Sequence, residues 1–210
     1  MKSELLRKGL TSETAEQIER GYWEDFFDKI LEKSDYGDFY YHPGVYEDLE
    51  KAGISSVIES LTHVPAGLYN RSNITSIELP QNITKLDRFA FLNCEKLKTV
   101  KLPNTVKSIG TQAFQNCYEL TSINIPRSCV VDDKVFQGCN KLKTVAVDKF
   151  AKLHFECFYN CPIETVIFNG TMKQSERVFK PRDVRRPEPY TSSGNIFHIQ
   201  CTDGVLDYLD

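Results

Sequence analysis

The sequence predicts an α/β solenoid of about five coils, with a parallel sheet and an α-helical N-terminal cap. One observation is a cysteine that recurs at spacings of 23, 22 and 22 residues, at Cys94, Cys117, Cys139 and Cys161. A second is a phenylalanine three residues before each cysteine, at Phe91, Phe114, Phe136 and Phe158. A third is a proline that ends an alternating apolar segment at positions 80, 103 and 126. A fixed period near 22 is typical of coils that stack to bury a continuous core.

Residues 1–60 are expected to form an acidic helical N-terminal cap. Apolar residues recur every fourth position from Ile18 to Ile30, which predicts an amphipathic helix over 12–33 packed on the first coil. Residues 34–43 are predicted to form a loop, and a second short helix is expected from about Pro43 to Lys51. Residues 1–62 contain 14 acidic and 7 basic side chains, whereas residues 63–210 contain 15 and 19.

Residues 61–170 are expected to form the solenoid. The segment from Val100 to Leu102 alternates between inward and outward positions, which predicts a strand, and Pro103 ends it because proline has no N–H to donate. The Phe-x-x-Cys-x-x-Leu stretch has helical or 3₁₀ spacing and is expected on the opposite side of each coil. The aligned aromatic column is predicted to contain Leu68, Phe91, Phe114, Phe136 and Phe158.

The residues from Ile109 to Pro126 follow the pattern Ile-Gly-x-x-Ala-Phe-x-x-Cys-x-x-Leu-x-x-Ile-x-Ile-Pro. This pattern resembles the BspA-like class of leucine-rich repeat, over about residues 61–170, and implies a short leucine-rich repeat array. The segment from Phe168 to Gln174, followed by Cys201 to Gly204, is similar to the closing segment of bacterial and bacteriophage members. Residues 171–210 are therefore expected to form a C-terminal cap that carries a basic loop.

No motif for catalysis, a metal or another cofactor is recognised in the sequence. A metal site needs ligands that converge on one point, and one cysteine per coil does not converge. Cys157 and Cys161 have zinc-like spacing with His154 nearby, but the set lacks a fourth ligand. We therefore predict no enzymatic activity, no metal and no cofactor. The cysteines are expected to be small buried thiols, reduced in a cytoplasmic compartment.

The outward positions of the strands form the first candidate binding site, the strand face. Each member is expected to point outward between two inward-pointing residues of its strand. The members are Glu78, Lys101, Asn124, Ala146 and Ile167, with the hydroxyl-bearing Thr99, Ser122 and Thr144 beside them. The column that begins at Glu78 changes from charged to apolar along the sheet. Two interpretations stay open: a binding face with an apolar end, or a plain solvated surface whose apolar end the C-terminal cap covers.

The second candidate site is a basic arm in the segment from Lys173 to Arg186, which is expected to be a mobile loop. Its cations are Lys173 and the proposed binding residues Arg177, Lys180, Arg182, Arg185 and Arg186. The arm is expected either to be plainly solvated or to grip an acidic protein surface or nucleic-acid phosphates. Few aromatic side chains lie between these cations, so base stacking is weakly supported.

These features predict a non-enzymatic protein–protein interaction module, in its most specific form a phage accessory protein that binds and inhibits a host defence protein. One alternative is a structural or adhesion module of a virion or cell surface. Another is a nucleic-acid-binding or nucleic-acid-mimicking protein, although a net charge of −3 makes nucleic acid an unlikely partner. The charged N-terminus and the lack of an apolar run of about 18 residues predict a protein without a membrane span. The expected location is the cytoplasm, that of the host cell if the protein is phage-encoded.

Overall fold

The computed structural model describes residues 31–33, 39–41, 46, 61–154, 156–178 and 197–208. Strand β1 (Leu31–Lys33) pairs antiparallel with β2 (Phe39–Tyr41). The prediction of a helix end and a loop is wrong at these six residues, because pairing of an aromatic segment with its neighbour satisfies backbone groups that a loop leaves open. The remainder of the predicted helical cap, apart from Tyr46, lies outside the described residues.

Two sets of parallel strands form the opposite sides of the solenoid. The back sheet consists of the two-residue strands β3 (His63–Val64), β5 (Lys85–Leu86), β7 (Ser108–Ile109), β9 (Val130–Val131) and β11 (Lys152–Leu153). The face sheet consists of β4 (Ser76–Glu78), β6 (Thr99–Lys101), β8 (Ser122–Ile125), β10 (Thr144–Asp148) and β12 (Thr165–Asn169). This arrangement confirms the predicted parallel solenoid of about five coils and adds the back sheet, which the sequence analysis did not identify.

The C-terminal segment extends the face sheet. Strand β13 (Phe197–Cys201) pairs parallel with β12, and β14 (Gly204–Tyr208) pairs antiparallel with β13. The face sheet is hydrogen-bonded in two sections, one of β4 and β6 and one that runs from β8 through β10, β12 and β13 to β14.

Successive turns, rather than the predicted helical or 3₁₀ segments, connect the back sheet to the face sheet in the described coils. In the third coil the Cys117 N–H donates to the Phe114 carbonyl oxygen of the same turn at 3.2 Å, whereas the Phe114 N–H donates to Val135 of the next coil at 2.9 Å. The helical prediction is wrong because left-handed residues interrupt the segment. Gln112 has a φ of 58° and Asn116 has a φ of 59°, so alternate N–H groups point to the neighbouring coil.

Aromatic rings stack through the centre of the solenoid. Phe91 lies 4.9 Å from Phe114 between ring centroids, Phe114 lies 5.4 Å from Phe136, and the planes of each pair are within 6° of parallel. Tyr69 stacks on Phe91 at 4.6 Å, so Tyr69 rather than the predicted Leu68 belongs to this column. The alignment from the strand side missed it because the first coil has one residue fewer between its back strand and its face strand. His63 precedes Ser76 by 13 positions, whereas their partners Lys85 and Thr99 are 14 positions apart.

The four periodic cysteines connect neighbouring coils. Each thiol donates to the carbonyl oxygen of the ladder aromatic in the preceding coil, for example Cys94 to Tyr69 at 2.8 Å and Cys161 to Phe136 at 2.9 Å. All seven cysteines are free. The expectation of small buried thiols at a tight corner is confirmed, and the structure adds a directed hydrogen bond to it.

Candidate functional site

The strand face consists of two outward columns on the face sheet. The backbone register places Ser76 beside Thr99 and Glu78 beside Lys101 in its first section. In its second section the same columns continue through β8, β10 and β12, and β13 adds His198 beside Thr165 and Gln200 beside Ile167. The structure therefore brings all eight predicted strand-face residues onto one surface, and Gln200 extends the column that begins at Glu78.

The N-terminal end of the strand face has two opposite charges that neutralise each other. The Lys101 ammonium lies 2.9 Å from the Glu78 carboxylate, and both side chains are at least 70% exposed. An exposed pair of this kind is worth about 0–1 kcal/mol, so it stabilises the fold little. Its chief effect is to leave this end without a net local charge.

The C-terminal end of the strand face is apolar and open to solvent. Ile167 is 47% exposed and Val205 is 59% exposed, and the register places them on either side of Gln200. Ala146 is half-buried beside Ile167. The expectation that the C-terminal cap covers this end is wrong at Ile167, because β13 and β14 continue the sheet sideways and do not fold over its surface.

Val205 and Gln200 are candidate binding residues that the sequence analysis missed. Their placement depends on the antiparallel turn between β13 and β14, where Gly204 has a φ of 154°. The Thr-Asp-Gly triplet before Val205 is a turn signal in the sequence. That signal predicts a hairpin but not the neighbour against which the hairpin pairs.

The first part of the predicted basic arm is helical. Helix α1 spans Met172–Val178 and includes Arg177, which is exposed. Thr171 Oγ1 accepts from the Gln174 N–H at 3.3 Å, and Gln174 Oε1 accepts from the Thr171 N–H at 3.0 Å. This reciprocal pair is a capping box, a helix-start signal that is readable as Thr-x-x-Gln, so the prediction of a loop over these residues is wrong. Lys180, Arg182, Arg185 and Arg186 lie outside the described residues.

The thiols and imidazoles of the described residues form structural contacts. Burial raises the pKa of Cys117 and Cys157 above the ordinary thiol range, which keeps these thiols protonated and weakly nucleophilic. The His154 Nδ1 atom accepts from the Glu156 N–H at 3.3 Å and lies 3.3 Å from a carboxylate oxygen of Asp133. Among the residues that the structure describes, no group of three or more His, Cys, Asp or Glu side chains is arranged to hold a metal ion.

The coil period, the cysteine and aromatic columns and the open strand face define a leucine-rich repeat protein. A family model described as BspA type leucine-rich repeat region matches residues 62–182 in six copies, which is more than half of the chain. The chain therefore belongs to the BspA-type leucine-rich repeat family, which confirms the resemblance found in the sequence.

The chain is similar to solved bacterial repeat proteins. A leucine-rich repeat protein of T. pallidum is 26% identical over 51% of this chain and 52% of its own, with a TM-score of 0.49. A leucine-rich cell surface protein of Faecalibacterium prausnitzii is 19% identical over 73% of this chain and 41% of its own, with a TM-score of 0.55. The chain thus matches about half of the first protein's length and less of the second's. No curated protein matches it. Within the described residues, no helix has the length and apolar character needed to cross a membrane.

Proposed function

We propose that this chain is a non-enzymatic protein-interaction module that binds its partner on the strand face. The observation that carries the proposal is the pair of exposed apolar side chains at the C-terminal end, Ile167 at 47% and Val205 at 59% exposure. Apolar groups next to polar ones on a rigid sheet are typical of contact surfaces. Asn124 and Gln200 supply amide groups along the same column that pair with a partner's backbone.

The apolar end supplies the affinity and the polar columns supply the selectivity. Removing an isoleucine side chain from water contributes about 1.5–3 kcal/mol when burial is complete. The hydroxyl column that includes Thr99, Ser122 and Thr144 offers short donors and acceptors at the coil spacing. A partner with an apolar anchor and an extended polar edge fits this surface.

A pair of charge substitutions tests the proposal. Ile167→Glu places a carboxylate in the apolar end, whereas Val130→Glu makes a similar change at another exposed apolar residue, 39% exposed, on the back sheet. Affinity purification from bacterial lysate with quantitative mass spectrometry is expected to recover a protein that the unmodified chain and the Val130→Glu chain retain and the Ile167→Glu chain loses. Equal recovery by both variants would show that the strand face is not the binding surface.

In its most specific form, the proposal is a phage accessory protein that binds and inhibits a host defence protein in the host cytoplasm. The similarity of Phe168–Gln174 and Cys201–Gly204 to closing segments of phage members supports this form, and seven free cysteines suit a reducing compartment. Expression in a bacterial host is expected to raise the plating efficiency of a restricted phage at least tenfold. Unchanged plating efficiency across a panel of defence systems would contradict the inhibitory role but not the proposed protein binding.

A surface or adhesion module is the second candidate, since the same open face would serve it and the family membership supports both. Protease treatment of intact cells that express the native protein separates the two locations. Digestion of the chain from outside supports the surface module, and protection supports the cytoplasmic binder.

A further inference from the structure

We infer that the chain has a second binding surface, separate from the strand face, at the corner formed by Arg127, Lys149 and Phe150, and that this corner binds an acidic protein segment. The phenyl ring of Phe150 is 48% exposed. The Arg127 guanidinium carbon lies 4.7 Å from the ring centroid and the Lys149 ammonium lies 5.4 Å from it. An exposed ring held between two cations combines an apolar contact with positive charge.

Comparison of the coils shows that this ring departs from the structural pattern. In each of the first four coils a tight turn follows the face strand and ends at a buried residue whose N–H donates three residues back, as Val106 donates to Pro103 and Ala151 donates to Asp148. The residue just before the buried one is Asn82, Thr105, Ser128 and then Phe150 in successive coils.

In the first two coils that position has a stabilising role. The Asn82 amide donates to the Leu61 carbonyl oxygen at 2.6 Å, and the Thr105 hydroxyl donates to the Ile83 carbonyl oxygen at 2.7 Å. A phenyl ring cannot donate such a bond, so Phe150 gives up the bridge to the preceding coil and exposes apolar surface instead. The residue before this position also changes along the solenoid, from the neutral amides Gln81 and Asn104 to the cations Arg127 and Lys149.

Hydrogen bonds and buried neighbours fix the turn that carries the Phe150 ring. The Asp148 carboxylate accepts from the Phe150 N–H at 3.0 Å and from the Asn169 amide at 3.1 Å. Val147 and Ala151, on either side of the turn, are buried. The Asp148 carboxylate therefore fixes the turn through these two neutral donors, and it keeps its negative charge.

The two cations of the corner have no ion-pair partner among the described residues, unlike some lysines of the strand-face side. On the strand-face side, Lys101 and Lys141 each pair with a glutamate of the preceding coil at 2.9 and 2.6 Å. Among the residues that the structure describes, no carboxylate lies within 4 Å of the charged groups of Arg127 or Lys149. Lys152, also exposed, lies in the neighbouring back-sheet strand. The corner therefore has two cations, Arg127 and Lys149, against one nearby carboxylate, Asp148, and this excess of positive charge is complementary to an acidic partner.

The size of the corner favours an acidic protein segment over nucleic acid. Nucleic-acid binding draws its affinity from about 6–10 phosphate contacts, whereas this corner has two cations and one ring. A short acidic segment with one apolar side chain matches that number of groups: carboxylates for Arg127 and Lys149, and an apolar contact for Phe150.

Binding of a defined probe tests the inference. The probe is a fluorescein-labelled peptide of ten glutamates around a central leucine, followed by fluorescence anisotropy at low salt. We expect Lys149→Glu to weaken binding by roughly fivefold or more. Phe150→Ser is expected to weaken it roughly threefold. Serine occupies the equivalent turn position at Ser128, so this variant keeps the fold, which its thermal melting curve verifies.

Two controls make the result specific. Lys96→Glu changes the net charge by the same amount at an exposed turn residue of another coil and is expected to leave peptide affinity within about twofold. A single-stranded DNA dodecamer tests the competing partner class. The inference is wrong if the unmodified chain does not bind the peptide, if Lys96→Glu weakens it as much as Lys149→Glu, or if the DNA binds more tightly than the peptide at the same salt concentration.

Discussion

At the residue scale, the periodic cysteine is a hydrogen-bond donor and a packing group. Cys117 and Cys139 donate to the carbonyl oxygens of Phe91 and Phe114 at 3.3 and 3.1 Å, one coil away. A thiol suits this place because it is small and apolar yet offers one weak donor. Serine at position 72 of the first coil is also buried, which shows that the site accepts a small side chain with a donor.

Alkaline pH is expected to destabilise the fold through its buried thiols. Burial raises the pKa of Cys129 to about 12 in the folded state, whereas an unfolded thiol has a pKa of about 8.5. The stability that this group contributes is therefore complete below about pH 8.5 and is lost as the pH rises toward 12. Cys129→Val copies Val106 of the preceding coil. Between about pH 9.5 and 11, the free energy of unfolding of this variant is expected to fall less steeply than that of the unmodified chain, by about 1.4 kcal/mol per pH unit.

Urea denaturation at several pH values measures this difference. The two proteins are compared at pH 7 as well, where the thiol is protonated in both states and contributes no slope. Parallel stability curves for the unmodified chain and the Cys129→Val variant from neutral to alkaline pH would contradict the prediction.

At the element scale, the turn that precedes each periodic cysteine sets the shape of the coil. The residue directly before each periodic cysteine has a positive φ, with asparagine at 57° for Asn93, 59° for Asn116 and 58° for Asn160, and glycine at 75° for Gly138. Asparagine and glycine tolerate this left-handed region better than other residues do. The Asn116 amide also donates to Asn93 Oδ1 at 2.9 Å, so the column is bonded from coil to coil.

Gly138→Ala is expected to destabilise the protein by about 1–2 kcal/mol, measured as the free energy of unfolding in urea. The backbone at this position has a φ of 75°, and a Cβ atom there would lie 2.5 Å from Asn116 Oδ1. Asn116→Gly removes the clash but not the backbone strain, so the double variant is expected to lose less than the sum of the two single variants. Strict additivity would show that the contact with Asn116 is not part of the cost.

At the scale of the whole molecule, the aromatic ladder makes the coils interdependent. Each ring buries its faces against the rings of neighbouring coils, from Tyr46 on Tyr69 at 4.6 Å to Phe136 on Phe158 at 5.2 Å. In a repeat protein stability is a sum over coils and over the contacts between neighbours. A central ring therefore contributes to two contacts, and its loss is expected to affect coils on both sides.

Phe114→Ala tests this interdependence. Phe114 is fully buried, so its truncation is expected to cost about 3–5 kcal/mol. In hydrogen exchange, the amides of β6 and of β10 are expected to lose protection together, by about 100-fold or more, because both strands unfold in one cooperative step. Lys96→Ala, at an exposed turn, serves as the control without effect. Loss of protection confined to the coil of Phe114 would contradict a cooperative solenoid.

The period, the repeat family and the inward columns of the coils are all readable from the amino-acid sequence alone. These are local properties. Val100, Ile123 and Val145 recur at spacings of 23 and 22 residues and are all buried, because stacked coils repeat the same environment. The turn residues were also readable, as the asparagine or glycine before each cysteine shows. The Thr-x-x-Gln capping box of α1 was present in the sequence and was overlooked.

The places where the chain departs from its own repeat emerge only from the folded structure. Tyr69, and not Leu68, lies in the ladder because the first coil has one residue fewer between its back strand and its face strand than the second coil has. Counting back from the face strands therefore places the ladder position one residue too early. Ile167 is exposed because β13 and β14 extend the sheet at the edge of β12. That extension depends on pairing between β12 and β13, two segments about 30 residues apart. Such pairing follows from backbone hydrogen bonds that any sequence offers, so side-chain pattern alone does not specify it.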